Sequence, residues 1–375
     1  MSACREGIHH SGSSRASGPR NWGFRQARDH RLGKDKTLLQ LPLSILFGLV
    51  LSLALGPMCI ALAERFGMID RPDARSYKIH VVATPRAGGM VLVFTVLAAG
   101  SLVGVLWQRP LSWIFLASLI IFAFGVFDDT RGLRAATKLV GQVLAVVILM
   151  QGGVVVQIFH SYIANAALTV FWVVGVTNAY NLVDSMDGEA LGLAGLAAGF
   201  LALAMTGTGQ QQPALFSAIL VGACAGLLLY NVTPARLFLG DSGSQLVGFW
   251  LAALGIIFTP SQTVPPLSSW FVPILIMIVP ILDTTLVTGS RLGLRLPVYR
   301  GNRDHTYHRL AALGIAPQRA VLVTHLASAL AGCLAIIALN LPPLWANLIF
   351  FGALAVGLAS ILWLARTRPP GDRRH

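Results

Sequence analysis

The stretch ALGLAGLAAGFLALAM, residues 190–205, contains no charged side chain, and runs of this kind recur along the chain. A bilayer core roughly 30 Å thick needs about 20 apolar residues per helix, so a chain that repeats such runs crosses a membrane many times. Continuous apolar runs predict helices, since barrel strands would alternate polar and apolar residues. The predicted spans fall at 38–63, 88–107, 111–127, 138–157, 161–178, 190–206, 214–230, 244–260, 268–289, 318–340 and 343–365. The expected fold is therefore an all-α polytopic membrane protein, a bundle of about eleven transmembrane helices. The 38 glycines suit helices that approach closely in lipid. Four scattered cysteines (Cys4, Cys59, Cys224, Cys333) lack the spacing of a zinc site or disulfide framework and read as packing residues.

Charge then sets orientation. Beyond residue 37, nineteen Lys and Arg fall in the loops at 64–87, 128–138, 232–243 and 289–319 and in the tail from 366, against one, Arg109, in the opposite loops. The positive-inside rule places the rich loops and the C-terminus on the cytoplasmic side. All twelve acidic residues after position 37 fall on or near that same face. The net charge of +13 is thus mostly topology, and it suits anionic ligands beside anionic lipid rather than nucleic acid. Residues 1–36 carry eight Lys and Arg in a Gly/Ser/Arg-rich composition, expected as a disordered basic tail from an upstream start site and not as a cleavable signal. The integral membrane catalytic domain is expected over 37–366, with a short cytoplasmic basic tail at 367–375.

Four polar islands interrupt the apolar runs on this face. Asp128 and Asp129 end IFAFGVFDDTRG as adjacent carboxylates, which need a cation or a basic partner to relieve their repulsion, unless they are a solvated loop with Arg131 and Arg134. NAYNLVDSMDGE, 178–189, repeats Asn178, Asn181, Asp184 and Asp187 every three residues. Amide and carboxylate oxygens converging there suit a hard divalent cation such as magnesium. NVTPARLFLGDSGS, 231–244, shapes a tight loop around Asp241, and without a suitable histidine its GDSGS is not a serine hydrolase site. YRGNRDHTYHRL, 299–310, supplies Arg300, Arg303, His305, His308 and Arg309, a density that reads as a phosphate clamp, with a His-x-x-His metal pair as the alternative. The loop at 67–89 adds Lys78, His80 and Arg86. Asp283, about two turns inside a span from Arg291, is either functional or paired with a basic neighbour. Metal-binding oxygens beside Arg, Lys and His at one membrane face fit phosphoryl chemistry on a lipid substrate.

Taken in order, these islands resemble those of the polyprenyl-phosphate N-acetylhexosamine-1-phosphate transferases, glycosyltransferase family 4, which include phospho-N-acetylmuramoyl-pentapeptide transferase and undecaprenyl-phosphate GlcNAc-1-phosphate transferase. The resemblance covers roughly 64–310. It implies a magnesium-dependent enzyme of ten or eleven helices in the inner (plasma) membrane, with its active site on the cytoplasmic face. Such an enzyme moves a sugar 1-phosphate from a UDP-N-acetylhexosamine to undecaprenyl phosphate and releases UMP, the first membrane step of a cell-envelope polysaccharide. By the same resemblance Asp128, Asp129 and Asp184 are the catalytic carboxylates, one of the Asp-Asp pair engaging the lipid phosphate as a base. Asn181 and Asp241 match magnesium positions. Asp187 and Phe238 match the uracil contacts with Asn231 nearby, His305, His308 and Arg309 the sugar-phosphate side, and Arg303 the diphosphate clamp; Lys78 and Asn178 are counted with the substrate-binding residues.

The sequence departs from the common pattern at Ser185, which replaces a glycine, and at Glu189, which replaces a leucine. DHTYHRL stands where the muramoyl-pentapeptide enzymes carry three histidines. The resemblance is therefore to the HexNAc branch, with UDP-GlcNAc the commonest donor. Expected partners are the donor, undecaprenyl phosphate, the bilayer and, as an option, a second copy of the chain, with no nucleic acid. The alternatives are the muramoyl-pentapeptide reaction and, in a different class, a secondary transporter of an anionic solute, which would place its polar groups near the midplane.

Overall fold

The structure is a computed structural model that describes residues 20–70, 83–258, 268–293, 295 and 305–367, with side chains from residue 39 onward. Two compact units separate, Met1–Leu39 and Gln40–His375. Among the described residues the first contributes only the opening of helix α1 (Arg20–Arg65), and every other element belongs to the second. Of the tail expected over 1–36, residues 1–19 lie outside the described residues, and the backbone from Arg20 is helical.

Among the described residues twelve more helices follow: α2 (Gly88–Val103), α3 (Leu111–Arg131), α4 (Ala135–Gln151), α5 (Tyr162–Val183), α6 (Glu189–Gly207), α7 (Gln211–Asn231), α8 (Gly240–Ile257), α9 (Val272–Ile276), α10 (Ile278–Gly293), α11 (Thr306–Ala312), α12 (Pro317–Leu339) and α13 (Pro343–Ala365). Each of the eleven expected segments overlaps helix. Among the described residues, seven helices are long and apolar enough to cross a membrane, those at Leu39–Arg65, Leu111–Arg131, Tyr162–Val183, Glu189–Gly207, Gln211–Asn231, Pro317–Leu339 and Pro343–Ala365; α2 and α4 are shorter apolar helices.

Two details depart from the sequence expectation. The segment expected as one span at 268–289 is broken at Met277 into α9 and α10. Pro280 explains the break, because it has no N–H to give Ile276 and its ring crowds that carbonyl. The all-α expectation also omits a small antiparallel pair, β1 (Ile69–Asp70) with β2 (Thr84–Pro85). Two-residue strands carry no periodicity that a sequence could display.

The core is built around α8. Every residue from Ser242 to Gly255 is buried, so the helix is enclosed on all sides, as one apolar all round must be. The peripheral helices instead expose large apolar side chains, such as Leu344, Phe351, Val356 and Leu362 on α13, as lipid-facing surfaces require. Close approach to α8 depends on small residues. A Cβ on Gly125 of α3 would lie 2.3 Å from Ser242 Cα, a backbone atom with nowhere to go. Gly125→Val is accordingly expected to destabilise the fold by roughly 3 kcal/mol, near the upper range for overpacking, seen as a lower thermal midpoint in detergent. A midpoint equal to the parent's would contradict this packing.

Candidate active site

The site lies where helix ends alternate. The C-terminal turns of α3, α5 and α7 meet the N-terminal turns of α4, α6 and α8, which gathers residues far apart in the chain.

Asp128 and Asp129 occupy the last turn of α3, and their environments differ. Asp129 is completely buried as a side chain. Its Oδ1 accepts from Asp241 N (2.9 Å), and its Oδ2 accepts from Ser242 N (3.0 Å) and the Ser242 hydroxyl (2.7 Å). These are the first amides of α8, which have no partner within their own helix, and a carboxylate at the positive end of the helix satisfies them. Gly240, at φ +72°, makes the turn in which a Cβ would lie 2.8 Å from Asp129 Oδ2. Asp128 has only one backbone donor, Leu133 N at 2.5 Å, and its Oδ2 pairs with Lys138 Nζ. Lys138, on the first turn of α4, also lies 2.8 Å from Asp241 Oδ1. One ammonium therefore joins the carboxylates of α3 and α8. Arg86, next to β2, pairs with Asp70 at 2.9 Å and comes within 3.9 Å of Asp129.

Asn181, on the last turn of α5, accepts at Oδ1 from the Ser244 hydroxyl at 2.8 Å, which brings it to the same end of α8 as Asp241. Asp184 is the C-cap of α5. Burial pushes its carboxyl well above the ordinary carboxylate range, followed by the negative charges of Asp241, Asp129 and Asp187, while Arg86 opposes the rise. Burial alone would raise it; among the charges that act on it, three carboxylates stand against one guanidinium, a balance that a cation would relieve. Asp128, Asn181, Asp184 and Asp241 thus share one locality.

Other expected ligand residues hold the frame. Asn231 is buried, accepting from Gly188 N (2.8 Å) and donating to Leu237 O (2.9 Å), so it joins the turn before α6 to the loop before α8. Asp187 accepts from the Thr233 hydroxyl at 2.8 Å. Phe238, half-buried, is held at its backbone by Pro85 O (2.8 Å), which ties its loop to β2. Asn178 bonds to Gln142 one turn below the site.

The histidine segment forms a second cluster. Asp283 of α10 lies 2.8 Å from His305 Nδ1 and accepts from Thr306 N at 2.6 Å, so its partner is His305, and it caps α11 as well. Tyr307 OH lies 2.5 Å from His308 Nε2 and donates to Ser185 O at 3.2 Å, joining α11 to the turn between α5 and α6. Arg309, expected on the sugar-phosphate side, is buried and donates to Leu364 O, Ala365 O and Thr367 O at the end of α13 and to the Ser290 hydroxyl. Its guanidinium serves as a C-cap there. Lys78 and Arg303, with His80 and Arg300, lie outside the described residues. Sequence reasoning missed Lys138 as a bridge; it could have been found as a lysine seven residues beyond Arg131, at the first position of the span expected over 138–157.

The family model described as glycosyl transferase family 4 matches residues 111–259, from α3 to the end of α8. A probable undecaprenyl-phosphate N-acetylglucosaminyl 1-phosphate transferase of Bacillus subtilis is 29% identical over 301 residues, 78% of this chain and 83% of that protein. A decaprenyl-phosphate N-acetylglucosaminephosphotransferase of Mycolicibacterium smegmatis is 31% identical over 303 residues, 71% of this chain and 74% of the relative. A phospho-N-acetylmuramoyl-pentapeptide-transferase of Lactiplantibacillus plantarum is 29% identical over 286 residues, 68% and 87% of the two chains.

Proposed function

This chain belongs to glycosyl transferase family 4, and from that we propose that it transfers GlcNAc-1-phosphate from UDP-GlcNAc to undecaprenyl phosphate, releasing UMP. The observation that carries the reading is the Lys138 bridge between Asp128 and Asp241, with Asn181 joined to the same helix end through Ser244. Carboxylate, amide and ammonium gather at one helix end, as diphosphate chemistry needs. The polar groups gather at helix ends rather than mid-span, which favours an enzyme over a transporter. The asymmetry of nineteen basic residues to one supports a cytoplasmic site in a plasma membrane protein of eleven passes, α9 and α10 together making one of them.

In the reaction, an oxygen of the lipid phosphate attacks the sugar-bearing phosphorus of the donor. The bond from that phosphorus to the bridging oxygen breaks, and the oxygen leaves with UMP. Both oxygens of Asp129 accept bonds from the start of α8, so in this reading Asp128, paired with Lys138, takes the proton from the lipid phosphate. Lys138 and Arg86 offset phosphate charge. Asn181, Asp184 and Asp241 fit magnesium by donor chemistry. Among the described residues no group of three or more His, Cys, Asp or Glu surrounds one point; magnesium commonly uses one or two carboxylates, waters and substrate phosphates instead of such a cage. When bound, the ion would neutralise diphosphate charge.

The test is UMP release by purified protein with UDP-GlcNAc, undecaprenyl phosphate and magnesium. Release that depends on the lipid acceptor is expected, and its absence across a panel of UDP-HexNAc donors would overturn the reading.

A further inference from the structure

Directly beneath the site, three amide side chains from three helices are linked through Gln142, which bonds to each of the other two. Gln142 of α4 donates from Nε2 to Gln245 Oε1 of α8 (2.9 Å) and to Asn178 Oδ1 of α5 (3.2 Å). Asn178 returns a bond from Nδ2 to Gln142 Oε1 (2.8 Å) and donates to Val174 O of its own helix (2.8 Å). Gln142 and Gln245 are each 2% exposed.

The sequence positions give the cluster its meaning. Gln142 is four residues after Lys138, Gln245 four after Asp241, and Asn178 three before Asn181. Residues three or four apart lie on the same helix face, one turn from each other. Each member of the amide cluster therefore sits one turn deeper than a residue of the site, on the same helix and the same face. A buried amide network has one low-energy arrangement, because any sliding of a helix leaves an amide without a partner in a dry interior. Apolar packing at these positions would tolerate a slip; three interlocked amides would not.

We infer that Gln142, Asn178 and Gln245 are positioning residues that set the separations of Lys138, Asn181 and Asp241, and so the fit of the donor diphosphate. Asn178 acts by this route and not by touching the substrate. The inference rests on the proposed transferase reading for its catalytic consequence, though the structural part stands independently.

The test compares Gln142→Met, Asn178→Leu and Gln245→Met, each close in volume to the original side chain, with Gln210→Leu. Gln210 donates to Ile257 O (2.7 Å) at the other end of α8, so its replacement removes an amide tie to the same helix away from the site. Each of the three variants is expected to lower kcat for UMP release by about 10- to 100-fold, the scale of a misplacement of about 1 Å. Gln210→Leu keeps kcat within about twofold of the parent while losing a similar amount of thermal stability. The Gln142→Met/Gln245→Met pair loses little more than the worse single variant, since both break one network. Hydrogen exchange supplies a readout without turnover: the first turn of α8, Gly240–Ser244, exchanges faster in the three variants and not in Gln210→Leu. If a single variant fails to fold, Gln142→Asn combined with Asn178→Gln exchanges the side-chain lengths, restores the reciprocal pair, and recovers most of the activity lost in Gln142→Asn alone. Parent-like kcat and exchange in the three variants, or losses equally large in Gln210→Leu, overturn the proposal. Faster exchange in the three variants of a parent that itself releases no UMP would overturn the transferase reading instead.

Discussion

Asp241→Asn is expected to cut UMP release by roughly 1000-fold, at the upper end of what the loss of one preorganised electrostatic group costs. The substitution keeps the shape and volume of the side chain and removes only its charge. Asp241 Oδ1 is the second anchor of Lys138, and Asp184 feels the Asp241 charge more than any other. Folding should survive, because the backbone N–H of residue 241 still donates to Asp129, and the side chain is 28% exposed and bears no buried load. Turnover at saturating magnesium and UDP-GlcNAc measures the loss, and helicity and elution volume in detergent report the fold. A variant with parental turnover would remove Asp241 from the site.

Asp129→Ala should fail differently. The substitution strips the partners from the buried amide and hydroxyl of Ser242 and from the part-buried amide of Asp241 at the start of α8. A lost cap costs about 0.5–2 kcal/mol and each orphaned buried donor about 1–3, so a destabilisation of at least ~3 kcal/mol is expected. Both thermal midpoint and activity fall, because the turn carrying Asp241 loses its anchor. Asp128→Asn by contrast loses activity with a midpoint close to the parent's, since it keeps the acceptor for Leu133 N. The paired measurement is turnover against thermal midpoint for the two variants. Equal midpoints with equal losses of activity would mean that the two carboxylates share one role.

The helices and the islands were legible because both follow from solvent. Apolar runs report lipid, and acids that interrupt them report a shared polar face, which is why Asp128, Asn181 and Asp241 could be expected together from sequence. Roles within the island were not legible. Asp128 and Asp129 are adjacent and chemically identical, and only the approach of α8 makes one a helix cap and leaves the other to Lys138. Lys138 itself looked like one more positive-inside residue. Asn231 and Arg309 are residue types suited to ligands, yet each is engaged by backbone more than forty residues away along the chain. The break at Met277 was announced by Pro280, but a run of apolar residues masks a kink. Gln142 and Gln245, single amides inside apolar runs, gave no sign that they face each other.

That α3, α4, α5 and α8 form one pocket for a metal-bound nucleotide diphosphate is tested most directly by a cryo-electron microscopy map of the full chain with UDP-GlcNAc and magnesium. Diphosphate density is expected within hydrogen-bonding reach of Lys138, with Asn181 and Asp241 facing it. Nucleotide density bound away from these three side chains would contradict it.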